Sequence, residues 1–98
     1  MQIEKKTENS VVSIALEGRL DTMTAPQLEA EVQGKLDGVT ELNFDFAKLS
    51  YISSAGLRVL LSAQKRMNTQ GEMKVTGANE TIMEVFEVTG FSDILTIE

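Results

Sequence analysis

The sequence reads as an α/β protein in which an N-terminal β-hairpin is followed by alternating βα units, giving a mostly parallel sheet with helices mainly on one face. Three observations lead there. Segments with two-residue apolar alternation and segments with helical apolar stripes follow one another in the order β-β-α-β-α-β-α-β. Strands that alternate with helices are joined by right-handed crossovers, which leave the sheet parallel beyond the first pair. Finally, Glu41 to Phe46 (ELNFDF) sets Leu42, Phe44 and Phe46 on one side and polar Asn43 and Asp45 on the other. A strand covered on both faces would be almost continuously apolar, so helices are expected on one face only.

Each element has its own signal. Gln2 to Lys6 is a short strand centred on Ile3, and Glu8-Asn9-Ser10 is a polar turn. Val11 to Leu16 (VVSIAL) is the second strand of the hairpin, with Val12, Ile14 and Leu16 on one face; Gly18 ends it or marks a bulge. Thr24 to about Leu36 reads as a helix. Thr24 is the expected N-cap, Gln27 completes a T-x-x-Q capping box, and Pro26 in the first turn costs no intrahelical bond. Ala25, Leu28, Val32 and Leu36 form its apolar stripe, and Asp37-Gly38 stops it. After the strand at Glu41 to Phe46, Ala47 to Ile52 leads to Ser53-Ser54-Ala55-Gly56 and a second helix running to about Asn68. Leu57, Leu60, Leu61 and Gln64 give that helix its stripe, broadened by Val59 and Ala63, and Gln70-Gly71 ends it. Met73 to Thr76 is a short strand. Asn79 caps a third helix carrying Ile82, Val85 and Phe86, Gly90 closes it, and Ile94 to Ile97 is the last strand. No linker, repeat or low-complexity stretch interrupts the 98 residues, which are read as one domain, 1–98.

Composition excludes several functions. With no Cys there is no thiol nucleophile, disulfide or thiolate metal site. With no His there is no imidazole base, and the commonest zinc ligand is missing. Nine Lys and Arg against fifteen Asp and Glu give a formal net charge of −6, and neither half of the chain is basic. Direct nucleic-acid binding and attraction to anionic lipid are therefore disfavoured, since clustered cations supply most of the affinity for either. No apolar run approaches the ~18 residues of a membrane span and no signal-peptide pattern opens the chain. The expectation is a cytoplasmic protein with no cofactor, no metal and no membrane insertion, monomeric when free. No G-x-S-x-G, G-x-G-x-x-G or Walker-type sequence is present, and Met67, Met73 and Met83 read as core or gap-filling residues. Nothing supports catalysis.

Two segments remain where chemistry can occur. In Tyr51-Ile52-Ser53-Ser54-Ala55-Gly56-Leu57-Arg58 the serines fall at the Ncap or N1 position of the second helix. Unpaired N–H groups and the helix dipole there favour an anion, so a phosphate on either hydroxyl would be tolerated. The alternative is that one serine is an ordinary cap and Gly56 packs against a neighbour. The second segment, Gly18-Arg19-Leu20-Asp21-Thr22-Met23-Thr24, ends the second strand. Strand-to-helix loops of a parallel sheet gather at one end, so Asp21 and Ser54 should be neighbours. Asp21 is either a turn residue bonded to its own loop or part of a binding surface.

Jointly, GRLDTMTAPQL (Gly18 to Leu28) and LSYISSAGLRVL (Leu49 to Leu60) resemble the STAS domain family, more narrowly its bacterial anti-sigma factor antagonists. GEMKVTG (Gly71 to Gly77) and VFEVTGF (Val85 to Phe91) fit the same pattern, and the resemblance covers about residues 3–97. It implies a single STAS-type domain that is not an enzyme. It implies partner switching: the unmodified antagonist binds an anti-sigma factor that is also a serine kinase and so frees a sigma factor, phosphorylation ends the interaction, and a serine phosphatase resets it. The family stretch D-S-[ST]-G-L, aligned on Gly56-Leu57, puts the phosphoacceptor at Ser54, with Ser53 the second candidate. Ser53 stands where the family has Asp, and Ala55 replaces the second hydroxyl. The implied partner interface is Asp21, Thr22, Met23, Ser53, Ser54, Ala55, Gly56, Leu57 and Arg58. An alternative within the family is an unphosphorylated scaffold subunit of a lipid-transport or sensory complex. A small nucleotide-binding or enzymatic domain is a third reading with no motif behind it.

Overall fold

The computed structural model describes all 98 residues. Strands β1 (Gln2–Glu8) and β2 (Val11–Leu20) form an antiparallel hairpin. They are followed by α1 (Ala25–Val32), β3 (Glu41–Ile52), α2 (Ser54–Met67), β4 (Glu72–Thr76), α3 (Glu80–Thr89) and β5 (Thr96–Ile97). The sheet order is β1-β2-β3-β4-β5, and every pairing after the hairpin is parallel.

The order explains the layering. From β2 to β5 each crossover steps to the next strand in the same direction, so right-handed connections must place all three helices on one face. The burial pattern agrees. Val12, Ile14 and Leu16 of β2, Leu42, Phe44 and Phe46 of β3, and Met73 and Val75 of β4 are buried beneath the helices. They join Leu28, Leu60, Met67, Ile82 and Phe86 in one hydrophobic core. On the opposite face Ser13, Ala15 and Asn43 are only partly buried and Asp45 is exposed. At the sheet edge the half-buried Lys5 ties β1 to α1: its ammonium donates to the Glu31 carbonyl (3.1 Å) and lies 3.6 Å from the Glu31 carboxylate.

Several element ends differ from expectation. β2 continues past Leu16 to Leu20, and β3 runs unbroken to Ile52, because β3 carries two register shifts that absorb extra residues against β2. Gly18 marks the second of them, and the Ser50 hydroxyl donates to its carbonyl (2.9 Å). At the first, the Asp45 carboxylate accepts from the Ala47 N–H (2.9 Å) and holds the bulge. Helix α1 stops at Val32 rather than Leu36: Gln33 is already extended and Gly34 takes φ +72°. Leu36 is still buried, from the loop. The T-x-x-Q capping box does not form. Thr24 occupies the N-cap position with near-helical dihedrals, and its hydroxyl turns back into the preceding loop. The last strand is shorter than Ile94 to Ile97, since Phe91–Asp93 form a 3-10 turn that leaves Ile94 44% exposed. In contrast α3 is bounded as its residues dictate. The Asn79 Oδ1 accepts from the Ile82 N–H (2.8 Å), and Gly90 closes the helix at φ +82°.

Candidate functional site

The two informative segments meet at the C-terminal ends of β2 and β3. Leu20 pairs with Ile52 in the sheet, and the Ser53 N–H donates to the Leu20 carbonyl (2.9 Å), so the Asp21 loop and the start of α2 lie side by side. Leu20 and Ile52 point into the core. Between them and α2 sits Gly56, itself buried: a Cβ at that position would stand 2.7 Å from Leu20 Cγ and 2.9 Å from Ile52 Cγ1. The glycine therefore lets α2 press directly onto the strand ends, and this fixes the position of the serines.

The serines have different jobs. Ser53 is the N-cap, extended at φ −101° and ψ 176°, and its Oγ accepts from the Gly56 N–H at 3.4 Å. Ser54 is the first helical residue, and its side chain is exposed with no hydrogen-bond partner. Ser53 thus takes the capping role, and Ser54 is left uncommitted at the end of the helix where the dipole and free N–H groups favour an anion. Ala55 is half buried, Leu57 is buried in the core, and Arg58 is exposed one turn beyond Ser54.

Across from the serines, Asp21 organises its own loop. Its Oδ1 accepts from the N–H groups of Met23 (3.0 Å) and Thr24 (3.1 Å), and its carbonyl from the Ala25 N–H (2.8 Å). The Thr24 hydroxyl accepts from the Asp21 N–H (2.8 Å) and donates to the Arg19 carbonyl (2.7 Å). Desolvation within the loop pushes the Asp21 carboxyl up, but the Thr24 and Met23 N–H groups, the Thr24 hydroxyl and the Arg19 guanidinium together hold it below the usual carboxylate range. Thr22 and Met23 project from this knotted loop into solvent, and Met23, 84% exposed, is the most exposed large apolar side chain of the protein.

Sequence reasoning missed two residues here. Arg19 stacks its guanidinium over the Tyr51 ring (4.3 Å to the centroid) and sits 3.7 Å from the Asp21 carboxylate. The two are register partners on β2 and β3, on the side away from Leu20 and Ile52. Alternation at the strand ends points each of them outward, but their pairing follows only from the bulges in β3. No group of three or more Asp, Glu, His or Cys is placed to hold a metal ion, and no helix is long and apolar enough to cross a membrane. The 330 Å³ groove between α1 and α2, floored by Val32, Leu36, Val59 and Ala63, lies away from the serines.

The model of the STAS domain matches residues 2–98. BtrV of Bordetella bronchiseptica is 34% identical over 99% of this chain and 85% of its own length. The anti-sigma-B factor antagonist of Listeria monocytogenes is 32% identical over 96% of this chain and 84% of its own. Among solved structures, the anti-sigma factor antagonist SpoIIAA in its unphosphorylated form superposes with a TM-score of 0.79 at 21% identity, covering 99% of this chain and 87% of SpoIIAA. A Thermotoga maritima protein superposes at 0.87 with 19% identity, covering 97% of this chain and 84% of its own. At those identities the superpositions speak for the fold.

Proposed function

This chain belongs to the STAS domain family, a family of regulatory binding domains rather than enzymes, and from that premise we propose that it is a cytoplasmic anti-sigma factor antagonist switched by phosphorylation of Ser54. In the unmodified state the chain binds an anti-sigma factor that is also a serine kinase and thereby frees a sigma factor. The kinase transfers the γ-phosphoryl group of ATP to the Ser54 Oγ, with loss of the hydroxyl proton and departure of ADP, and the phosphorylated chain no longer binds. A serine phosphatase hydrolyses the ester and restores the antagonist.

The observation that carries this reading is the division between the serines. A hydroxyl committed to capping is a poor acceptor, and here Ser53 has that task while Ser54 is free. The departure from the family stretch then has a simple reading: Asp and Ser are equivalent caps, so Ser53 keeps the helix start that the family's Asp provides. The Listeria relative, named an anti-sigma-B factor antagonist, supports the role. SpoIIAA has been solved in phosphorylated as well as unphosphorylated form, so in that protein the shared fold exists in both states.

Electrostatics explain the switch. A phosphate adds about −1.5 to −2 charge at pH 7. At the start of α2 the dipole and free amides tolerate it, but inside a partner interface it is desolvated beside the ionised Asp21. A loss of about 3–4 kcal/mol in binding lowers affinity several-hundred-fold. Met23, Thr22 and Arg58 complete the surface around the hydroxyl, with Met23 the apolar anchor, while the buried Leu57 seats the helix from beneath.

The test is incubation with an anti-sigma factor kinase and ATP, followed by intact-mass measurement. A gain of one phosphate, kept in Ser53→Ala and lost in Ser54→Ala, is expected; equal modification of both variants overturns the assignment. Ser54→Glu is expected to lose binding to the anti-sigma factor. A partner that binds Ser54→Glu as well as the parent would instead mark the chain as an unphosphorylated scaffold.

A further inference from the structure

Helix α2 is unlike the rest of the molecule. In a chain of net charge −6, the fourteen residues Ser54–Met67 contain no acid and three cations, Arg58, Lys65 and Arg66. Arg66 is committed to Asp37 across the loop. Elsewhere Lys5 pairs with Glu31, Arg19 with Asp21 and Lys74 with Glu98. Arg58 makes no ion pair or hydrogen bond, and it is exposed. It stands four residues after Ser54 on the same helix, so the two side chains share a face with Cβ atoms about 5–6 Å apart. Helical side chains lean toward the N-terminus, so the Arg58 guanidinium is within reach of the turn that carries Ser54.

We propose that Arg58 is the intramolecular receptor of the Ser54 phosphate: in the modified protein the guanidinium folds back one turn and binds the phosphate oxygens. This rests on the reading that Ser54 is the modified residue. The reach suits an arginine, whose planar fork matches two phosphate oxygens, better than a lysine. The contact has two effects at once. It spreads the new charge over a cation already present, so the helix start is undisturbed. It also withdraws Arg58 from the binding surface, so modification removes a cationic contact for the partner as well as adding a negative one.

The other charged or titratable groups at this end of the sheet are Arg19 and Asp21 on β2 and its loop, and Tyr51 on β3. The first turn of α1 contributes no acid, and Glu80 at the start of α3 lies farther back, where Asn79 donates to the Leu49 carbonyl (3.2 Å). All of these stay constant when only Arg58 is changed.

The experiment uses the full chain with phosphoserine installed at position 54 during synthesis, so no kinase is involved. Phosphorus-31 NMR titration reads the second ionisation of the phosphate, ordinarily about 6. With Arg58 present it is expected about half a unit lower, roughly threefold in ionisation constant, than in Arg58→Ala, with Arg58→Lys between them and the gap shrinking in 0.5 M salt. Equal ionisation in the parent and Arg58→Ala, which would mean that the helix amides alone hold the phosphate, overturns the proposal. Arg58→Gln, which keeps length without charge, takes the place of the alanine variant if the latter loses its circular-dichroism melt. Because the phosphate is installed chemically, failure of the kinase to modify Ser54 would overturn the switching assignment while leaving this measurement readable.

Discussion

Asp21 shows how a side chain fixed by its own loop can still face the proposed interface. Its carboxylate accepts two backbone N–H groups within four residues, so it is held ionised by the loop that it organises. A depressed carboxyl pKa means that the folded state binds fewer protons than the unfolded one. The stabilisation is therefore fully present above the unfolded value of about 3.9 and is lost as pH falls through the lower folded value. Carbon-detected NMR titration should find the Asp21 carboxyl protonating below the ordinary aspartate value, and Asp21→Asn should remove that acid-side step. An Asp21 that titrates at or above the ordinary aspartate value would contradict the geometry. The same residue marks the limit of what sequence alone reveals about the site. A turn aspartate and a binding aspartate carry the same signal, as do a capping serine and a free one. Only the register of β2 against β3, displaced by two bulges, decides which groups face each other. For that reason the Arg19–Tyr51 stack was invisible while the nearness of Asp21 to Ser54 was not.

Among the elements, those closed by a side chain of their own were legible and those closed by a neighbour were not. The ends of α3 follow from Asn79 and Gly90, and the start of α2 from Ser53, each acting on atoms three or four residues away. Thr24 carries the same capping signal, yet its hydroxyl is taken by Arg19 and Asp21, a competition set by the loop. Ile94 reads as strand, but the 3-10 turn before it consumes the chain needed to extend β5. Gly56 is the element-level feature that positions the candidate site. Its missing side chain sets the separation of α2 from β2 and β3, and the nearest atoms are branch carbons of Leu20 and Ile52, which cannot swing aside as a flexible tip could. Gly56→Ala should gain helix propensity yet destabilise the protein by about 1–3 kcal/mol through overpacking. Chemical denaturation measures this, and an unchanged or raised midpoint would show that α2 is not seated as closely as described.

For the molecule as a whole, the proposed switch works only if the fold ignores the charge that the partner cannot. The core permits this. The side chains that hold the sheet to its helices, such as Phe44, Phe46, Leu60 and Phe86, are fully buried, while Ser54 lies outside that cluster at the rim of the helix layer. A negative charge at the first residue of α2 meets the positive end of the helix dipole, a contribution of about 0.3–1 kcal/mol in favour of the fold. For a domain near 100 residues, each 1 kcal/mol moves the midpoint by about 4–8 °C. Ser54→Glu should therefore melt at the parent temperature or a few degrees above it, even as it loses its partner. Phe44→Ala, by contrast, removes a fully buried ring and should cost about 3–5 kcal/mol, a fall of well over 10 °C. Thermal melts of the two variants beside the parent separate the cases. A marked fall for Ser54→Glu would mean that binding is lost because the domain opens, so that phosphorylation would act on stability and not on the interface.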